Sequence, residues 1–179
     1  MRIPQALSLI LLCVFFAACK AMPPRDFKGS NPVFDPILFF KGHTVSSGVI
    51  ENRSGKPMQE ISTRTEGKMK DNRLVIEQDL VFEKHQRHQH RSWQIVRLDE
   101  HHLYATANDI IGTAHGQLYG PMFQWSFRLK DASGNPLKTV RMSQCMYAQP
   151  DGKSVIIRTI IRKAGIIVVA ITEQFCKTD

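Results

Sequence analysis

The carboxylate with the clearest chemical potential in this sequence is Asp109. It lies within the segment Tyr104–Leu129, which alternates at both ends and carries glycines at positions 112, 116 and 120. Glycines within a strand pattern mark bulges or sharp bends, so we predict that the sheet turns a corner here. A carboxylate at such a corner could hold a ligand or act as an acid or base. Alternatively, Asn108 and Asp109 form a turn and bond local backbone.

A histidine-rich run, Lys84–Arg91, is the second chemical feature. His88 and His90 would share one face of a strand and could offer two imidazoles to zinc or copper. A third ligand would have to come from His101, His102 or His115. The basic residues in the run oppose cation binding, and no carboxylate within it offsets their charge. The sequence therefore favours a solvated, pH-sensitive strand end, with no metal or cofactor.

No enzyme signature accompanies these residues. A Gly-x-Ser-x-Gly elbow is absent. Gly152-Lys153-Ser154 lacks the upstream glycine of a phosphate-binding loop, because Tyr147 occupies that position. Glu77 and Arg91 could pair across adjacent strands, which would be structural more often than catalytic. The sequence thus favours a protein that is not an enzyme and assigns no catalytic residue.

The N-terminal residues indicate export. Residues 1–18 combine Arg2 with an apolar run that is too short to span a membrane and typical of a signal peptide. Small residues before Cys19 resemble a bacterial lipobox, which predicts lipid attachment at Cys19. Lys20 differs from the Asp of an inner-membrane retention signal, so we expect an anchor in the outer membrane facing the periplasm. The alternative is ordinary secretion with cleavage nearby.

The composition is consistent with one exported domain. About 160 residues remain after the signal, enough for a single core, and we expect a monomer. The formal net charge of +8 suits a solvated basic surface near anionic lipids, and a periplasmic address argues against nucleic acid. An oxidising compartment permits a disulfide between Cys145 and Cys176. If the last three strands form a meander, however, these cysteines lie on strands separated by a third, too distant for a disulfide. We therefore expect two buried thiols.

The elements that must position these residues are almost all strands. Residues 19–34 are rich in Pro, Gly and charge and predict a tether. Asp35-Pro36 begins a short helical turn, with Asp at the cap and Pro at the first helical position. Short alternating segments separated by turn residues then recur to the end of the chain. Residues 35–179 thus predict an all-β fold, a single antiparallel up-and-down barrel of about 8–10 strands, similar to lipocalins.

Several pieces of the sequence together resemble a known family. They are Phe40-x-Gly42, Gly48, Glu77 with Phe82, Arg91-x-Trp93, and Asp109-Ile110-Ile111-Gly112-x-Ala114-x-Gly116 followed by Gly120 and Trp125. In this order they resemble the bacterial lipoproteins grouped as domain of unknown function family 3833, from Phe39 to Phe175. The resemblance implies a lipocalin-like barrel on a lipid anchor and favours a lipid ligand, without supplying an activity. Gln144-Cys145 stands where the resemblance implies Asp-Trp, and Phe127 where it implies Tyr.

The leading hypothesis is a membrane-anchored carrier of an acyl chain or another apolar small molecule. A barrel of this size can enclose one small ligand. The expected pocket residues are Arg91, Trp93, Asp109, Phe123, Trp125, Phe127, Ile157 and Ile161, with Arg91 or Asp109 fixing a polar head. Two alternatives stay open. One is an enzyme acting on a lipid through Asp109, and the other is a structural lipoprotein with a solid barrel.

Overall fold

The computed structural model describes residues 22–130 and 139–178. Ten antiparallel strands close into one barrel, in which each strand pairs with its neighbours in sequence and β1 pairs with β10. The prediction of an all-β, up-and-down barrel is confirmed. The strands are β1 (Gly42–Asn52), β2 (Pro57–Lys70), β3 (Arg73–Phe82), β4 (Arg87–Arg97), β5 (His102–Ala107), β6 (Ile110–Tyr119), β7 (Met122–Leu129), β8 (Val140–Ala148), β9 (Ser154–Lys163) and β10 (Ile166–Lys177).

One end of the barrel, which we call the closed end, is covered by helix α1 (Pro36–Phe40). The Asp35 side chain accepts from the backbone N–H of Ile37 at 2.9 Å and caps the helix, as the sequence predicts. At the other helix end, Lys177 Nζ donates to the carbonyls of Leu38, Phe39 and Lys41 at 3.3, 3.2 and 2.8 Å. The last strand thus holds the helix over the barrel.

The chain before α1 also packs on the barrel. Pro24–Phe27 form a 3-10 helix with Pro24 buried, the Phe27 ring meets Tyr147 edge-on at 6.3 Å, and Phe34 is buried. The segment predicted as a tether therefore contacts the domain from Pro24 onward. The signal peptide and Cys19 lie outside the described residues.

At the opposite end, which we call the open end, strands β1, β3, β5, β7 and β9 end and the strands that follow them begin. Alternation along each strand sends every second side chain inward. In β9, for example, Val155, Ile157 and Thr159 are buried, while Arg158 is exposed. The main apolar core extends from α1 along the barrel and includes Ile110, Phe127 and Met142 in its open half, and a smaller cluster around Ile50, Ile61 and Ile171 lies near the open end.

The segment Tyr104–Leu129, predicted as a corner, contains the end of β5, all of β6 and all of β7, with Gly120 in the turn between the last two. The irregular part of this segment is in β6. Its irregularity is a bulge between Ile111 and His115, where Gly112 adopts a φ of 71°. Gly116 has a packing role, because a Cβ there would overlap the ring of Phe123. The glycines thus bend one strand and make room beneath an aromatic ring, without dividing the sheet.

The two described cysteines are free thiols. Cys145 lies on β8 and Cys176 on β10, with β9 between them, as the geometric argument expects. Both thiols are half-buried, whereas the sequence predicts buried thiols. The inward positions next to them in sequence are occupied by Met146 and Phe175.

Among the helices of the described residues, none has the length and apolar character needed to cross a bilayer.

Candidate functional site

The floor of the barrel interior is aromatic. Phe39 contacts Phe34 and Phe40 edge-to-face, with ring centroids 5.8 and 4.9 Å apart. Phe40 in turn meets Phe175 of β10 at 5.8 Å. These buried rings join α1 to the strands and pack under the closed end of the barrel.

Two stacked tryptophans occupy the centre. The indoles of Trp93 on β4 and Trp125 on β7 stack at 4.7 Å with an interplanar angle of 24°. Small inward residues on the intervening strands, Ala105, Ala114 and Gly116, leave room for them. Because a buried indole N–H needs an acceptor, each ring is anchored to a glutamine.

The two glutamine anchors mirror each other. Trp93 Nε1 donates to Gln78 Oε1 at 3.0 Å, and Trp125 Nε1 donates to Gln144 Oε1 at 2.6 Å. Each glutamine amide then donates to a threonine hydroxyl, from Gln78 to Thr65 at 3.4 Å and from Gln144 to Thr159 at 2.9 Å. The tryptophans are therefore fixed in position by hydrogen bonds on both sides of the barrel.

A buried carboxylate, Glu173, lies beside this pair on β10. Its side chain accepts from Ser46 Oγ at 2.9 Å and from Thr63 Oγ1 at 3.1 Å, and the residue is only 7 % exposed. Burial raises the pKa of Glu173, while the two hydroxyls and the charge of Arg91 oppose that rise. The interior thus contains a carboxyl group that is costly to ionise.

Asp109 binds Arg91 from the edge of the barrel. Arg91 Nη2 and Nε lie 2.7 and 2.8 Å from Asp109 Oδ2, and Gln89 donates to the same oxygen at 3.0 Å. The other oxygen, Oδ1, is buried and has no partner among the described residues. Asn108 and Asp109 form a turn, as the alternative predicts, but the Asp109 carboxylate bonds Arg91 and Gln89 and not the local backbone. The predicted pairing of Glu77 with Arg91 is wrong, because Arg91 pairs with Asp109 and Glu77 accepts from Ser92 Oγ.

These polar and aromatic groups enclose a small cavity of about 60 Å³. This volume holds a few water molecules and is far below the roughly 300–1,000 Å³ of typical ligand pockets. A whole acyl chain therefore does not fit among the tryptophans in this conformation. Its walls include Thr63, Gln78, Arg91, Trp93, Phe123, Trp125, Gln144, Ile157 and Glu173.

A second and larger recess opens to solvent at the open end, and we call it the mouth groove. Its volume is about 330 Å³, and its walls are mostly apolar: Ile50, Met58, Phe82, Ile161, Val169 and Ile171. The guanidinium of Arg87 lies over the ring of Phe82 at 4.4 Å and forms one rim. The groove and the cavity share strands β2, β3, β4, β9 and β10.

The structure distributes the predicted pocket residues over four places. Arg91, Trp93, Phe123, Trp125 and Ile157 line the cavity. Ile161 lines the mouth groove, Phe127 packs against both tryptophans behind the wall, and Asp109 contacts the site through Arg91.

Sequence reasoning missed the most unusual member, Glu173. Its signal was present in the alternation of β10, because Ile171, Glu173 and Phe175 share the inward face. It also missed the two glutamines that anchor the indoles, although Gln144 stands out as a departure from the expected family pattern.

His88 and His90 of the histidine-rich run lie on the outer face of β4. His88 and His90 share a face as predicted, and His90 lies between two carboxylates of β3, 2.8 Å from Asp79 and 2.9 Å from Glu77. The hydrogen bond to Asp79 is the largest of the effects that raise the pKa of His90. Residues 22–130 and 139–178 contain no group of three His, Cys, Asp or Glu side chains able to hold a metal ion.

The chain was compared with known proteins, structures and families. No curated protein matches the sequence significantly. The S-type phycobiliprotein lyase CPES from Guillardia theta shares the fold with a TM-score of 0.57 and 6 % identity, covering 80 % of this chain and 90 % of the lyase chain. The family model "Protein of unknown function (DUF3833)" matches residues 13–177, and the chain belongs to that family, as the resemblance in its sequence predicted.

Proposed function

We propose that this barrel binds an acyl chain or a similar apolar molecule that ends in a small polar group. The apolar part lies in the mouth groove and the polar end reaches the cavity. One observation carries the proposal: along β10, the wall of a solvent-open apolar groove is followed at the next inward residue by the wall of a buried cavity with charged and polar side chains.

The walls of the groove and of the cavity succeed each other at consecutive inward residues. On β10, Ile171 lines the groove, while Glu173 lines the cavity. Alternate residues on a strand are about 7 Å apart, a distance of a few methylene groups. A ligand lying in the groove can therefore place its first polar atoms beside Glu173 and Arg91.

The charge of this layer favours some polar groups over others. Within the described residues it contains one guanidinium, Arg91, and two carboxyls, Asp109 and Glu173. Glu173 lines the cavity, and its carboxyl group can accept a hydrogen bond from a ligand. A hydroxyl, amide or amine end would supply that donor, whereas an ionised fatty acid would add a third carboxylate.

A solid structural barrel explains these groups less well. Burying a carboxyl group costs several times more than burying an apolar side chain of similar size contributes. The interior near Glu173 nevertheless keeps polar groups on β1, β2, β4 and β10 around a space. This arrangement is typical of a binding site, in which polar groups fix the orientation of a mainly apolar ligand.

The test is a binding measurement with a matched pair of variants on β10. We expect the protein to bind a long-chain fatty alcohol, which native mass spectrometry would detect as a complex. We also expect the purified protein to release a co-purified lipid when it is denatured. Ile171→Gln, inside the groove, should weaken binding by about tenfold or more, because it places an amide in the apolar wall. Thr172→Gln, on the outer face of the same strand, should leave binding unchanged. Equal affinities of the two variants and the wild type would show that the groove does not hold the ligand.

We also propose that Cys19 carries a lipid anchor and that the barrel faces the periplasm from the outer membrane. The lipobox-like residues before Cys19 and Lys20 after it support this address. Labelled palmitate should be incorporated into the wild-type protein, and Cys19→Ser should abolish the label and release the protein from the membrane fraction. An unlabelled wild-type protein in the soluble fraction would favour simple secretion.

A further inference from the structure

Three arginines lie side by side on the outer face of the barrel near the open end. Arg128 of β7 is directly opposite Arg141 of β8, which is directly opposite Arg162 of β9. Residues opposite each other on antiparallel strands point to the same side of the sheet, with Cα atoms about 5 Å apart. Their inward neighbours Phe127, Met142 and Ile161 confirm that the arginines point outward.

The described part of the chain does not neutralise this row. None of the three arginines forms a salt bridge there, and the only bond to their guanidinium groups is from Arg141 Nη2 to Ser126 Oγ at 3.4 Å. Like charges directly opposite on neighbouring strands are destabilising. The row is therefore a surface of concentrated positive charge that would gain from an anion.

The row runs into an exposed aliphatic hairpin tip. Arg162 is opposite Ile167, and Lys163 is opposite Ile166. Ile166, Ile167 and Val168 are 56, 37 and 37 % exposed. The pairing of β1 with β10 ends at Val169, so these three residues project beyond the neighbouring strand. Three successive aliphatic side chains at a protruding tip are unfavourable in water.

We propose that this arginine row and hairpin tip dock on the surface of a bilayer that contains anionic phospholipids. The guanidinium groups would bind lipid phosphates, for which their planar donors are well suited. The aliphatic tip would enter the interface between head groups and acyl chains. A soluble polyanion would use the arginines but leave the tip in water, so the combination favours a membrane.

The proposed docking surface is separate from the ligand-binding groove but shares strands β9 and β10 with it. Ile161 and Val169, on the inward side of the same two strands, line the mouth groove. A barrel docked through the β9–β10 tip would therefore hold the groove beside the lipid surface. The docking surface stands on its own contacts and would remain if the groove bound nothing.

Hydrogen–deuterium exchange of the full-length protein tests this docking. Vesicles of phosphatidylcholine with about one third phosphatidylglycerol should slow exchange in the peptide covering residues 163–169, while phosphatidylcholine alone should not. This reading is specific to the tip and does not depend on how the N-terminal segment associates with lipid. Replacing Arg128, Arg141 and Arg162 by Gln should raise the lipid concentration that gives half of the maximal protection by roughly 100-fold. The reason is that three positive charges near an anionic surface are lost.

A control triple variant removes the same number of positive charges from the closed end. In it, the exposed residues Lys41, Lys70 and Lys153 are replaced by Gln. This control should keep the protection of residues 163–169. Equal protection by neutral vesicles, or equal loss in both triple variants, would overturn the proposal. Protection by soluble polyphosphate but not by anionic vesicles would also overturn it and indicate a soluble polyanion as the partner.

Discussion

An Arg91→Met variant is expected to lose about 3 kcal/mol of unfolding free energy, since removing one partner of a buried ion pair leaves the other uncompensated. Arg91 lies 2.7 Å from Asp109, with side-chain exposures of 8 and 21 %. Its charge also stabilises ionised Glu173. Without Arg91, Asp109 keeps only the bond from Gln89 among its described side-chain partners.

Urea denaturation at pH 7 measures this loss, and a double-mutant cycle with Asp109→Asn assigns it to the pair. The coupling should exceed about 1 kcal/mol, because the two groups are in direct contact. Arg141→Met, on the outer face, is the matched control and should change stability by less than about 0.5 kcal/mol. A cycle with no coupling would mean that Arg91 stabilises the barrel by packing alone.

Glu173→Gln is expected to have the opposite effect and to stabilise the protein at neutral pH by on the order of 1–3 kcal/mol. A glutamine has nearly the same shape and can still accept from Ser46 and Thr63. It removes the cost of holding a charge inside the barrel. A gain of stability on replacing a buried polar residue is typical of groups kept for function.

The pH dependence of that gain identifies its cause. Because burial raises the pKa of Glu173 above its ordinary value of 4.5, the folded protein binds more protons than the unfolded chain above that pH. The stability of the wild type relative to Glu173→Gln should therefore fall as the pH rises from about 4.5 through the folded pKa. Below pH 4.5 the two proteins should differ little. A constant difference from pH 4 to pH 8 would exclude ionisation of Glu173 as the source.

The sequence predicts the barrel and much of its lining because alternation is a local property. Trp93, Trp125 and Ile157 are visible as inward residues once a strand is assigned, and the cap at Asp35 needs only two neighbouring residues. The position of Gly116 shows the limit of such reasoning. A glycine in a strand predicts a bend, but which ring fills the space beside it depends on the register of β6 against β7.

The polar part of the site could not be predicted for the same reason. The contact between Arg91 and Asp109 joins a strand to a later turn, and only the closed sheet brings them together. The division of the interior into a small cavity and an open groove likewise depends on how far each hairpin extends. Ile161 was expected among the tryptophans, but it lies one layer above them, in the groove.

The pairing of β1 with β10 also governs the order in which this chain can fold. Residues 44–52 have their partners at residues 169–177, so the first strand cannot complete its hydrogen bonds until nearly all of the chain is present. Contacts this distant in sequence slow folding, because a long loop must close first. Until then, β1 exposes a strand edge that can pair with other chains. The closure that pairs β1 with β10 in the folded barrel therefore leaves the incomplete chain most vulnerable to association with other chains.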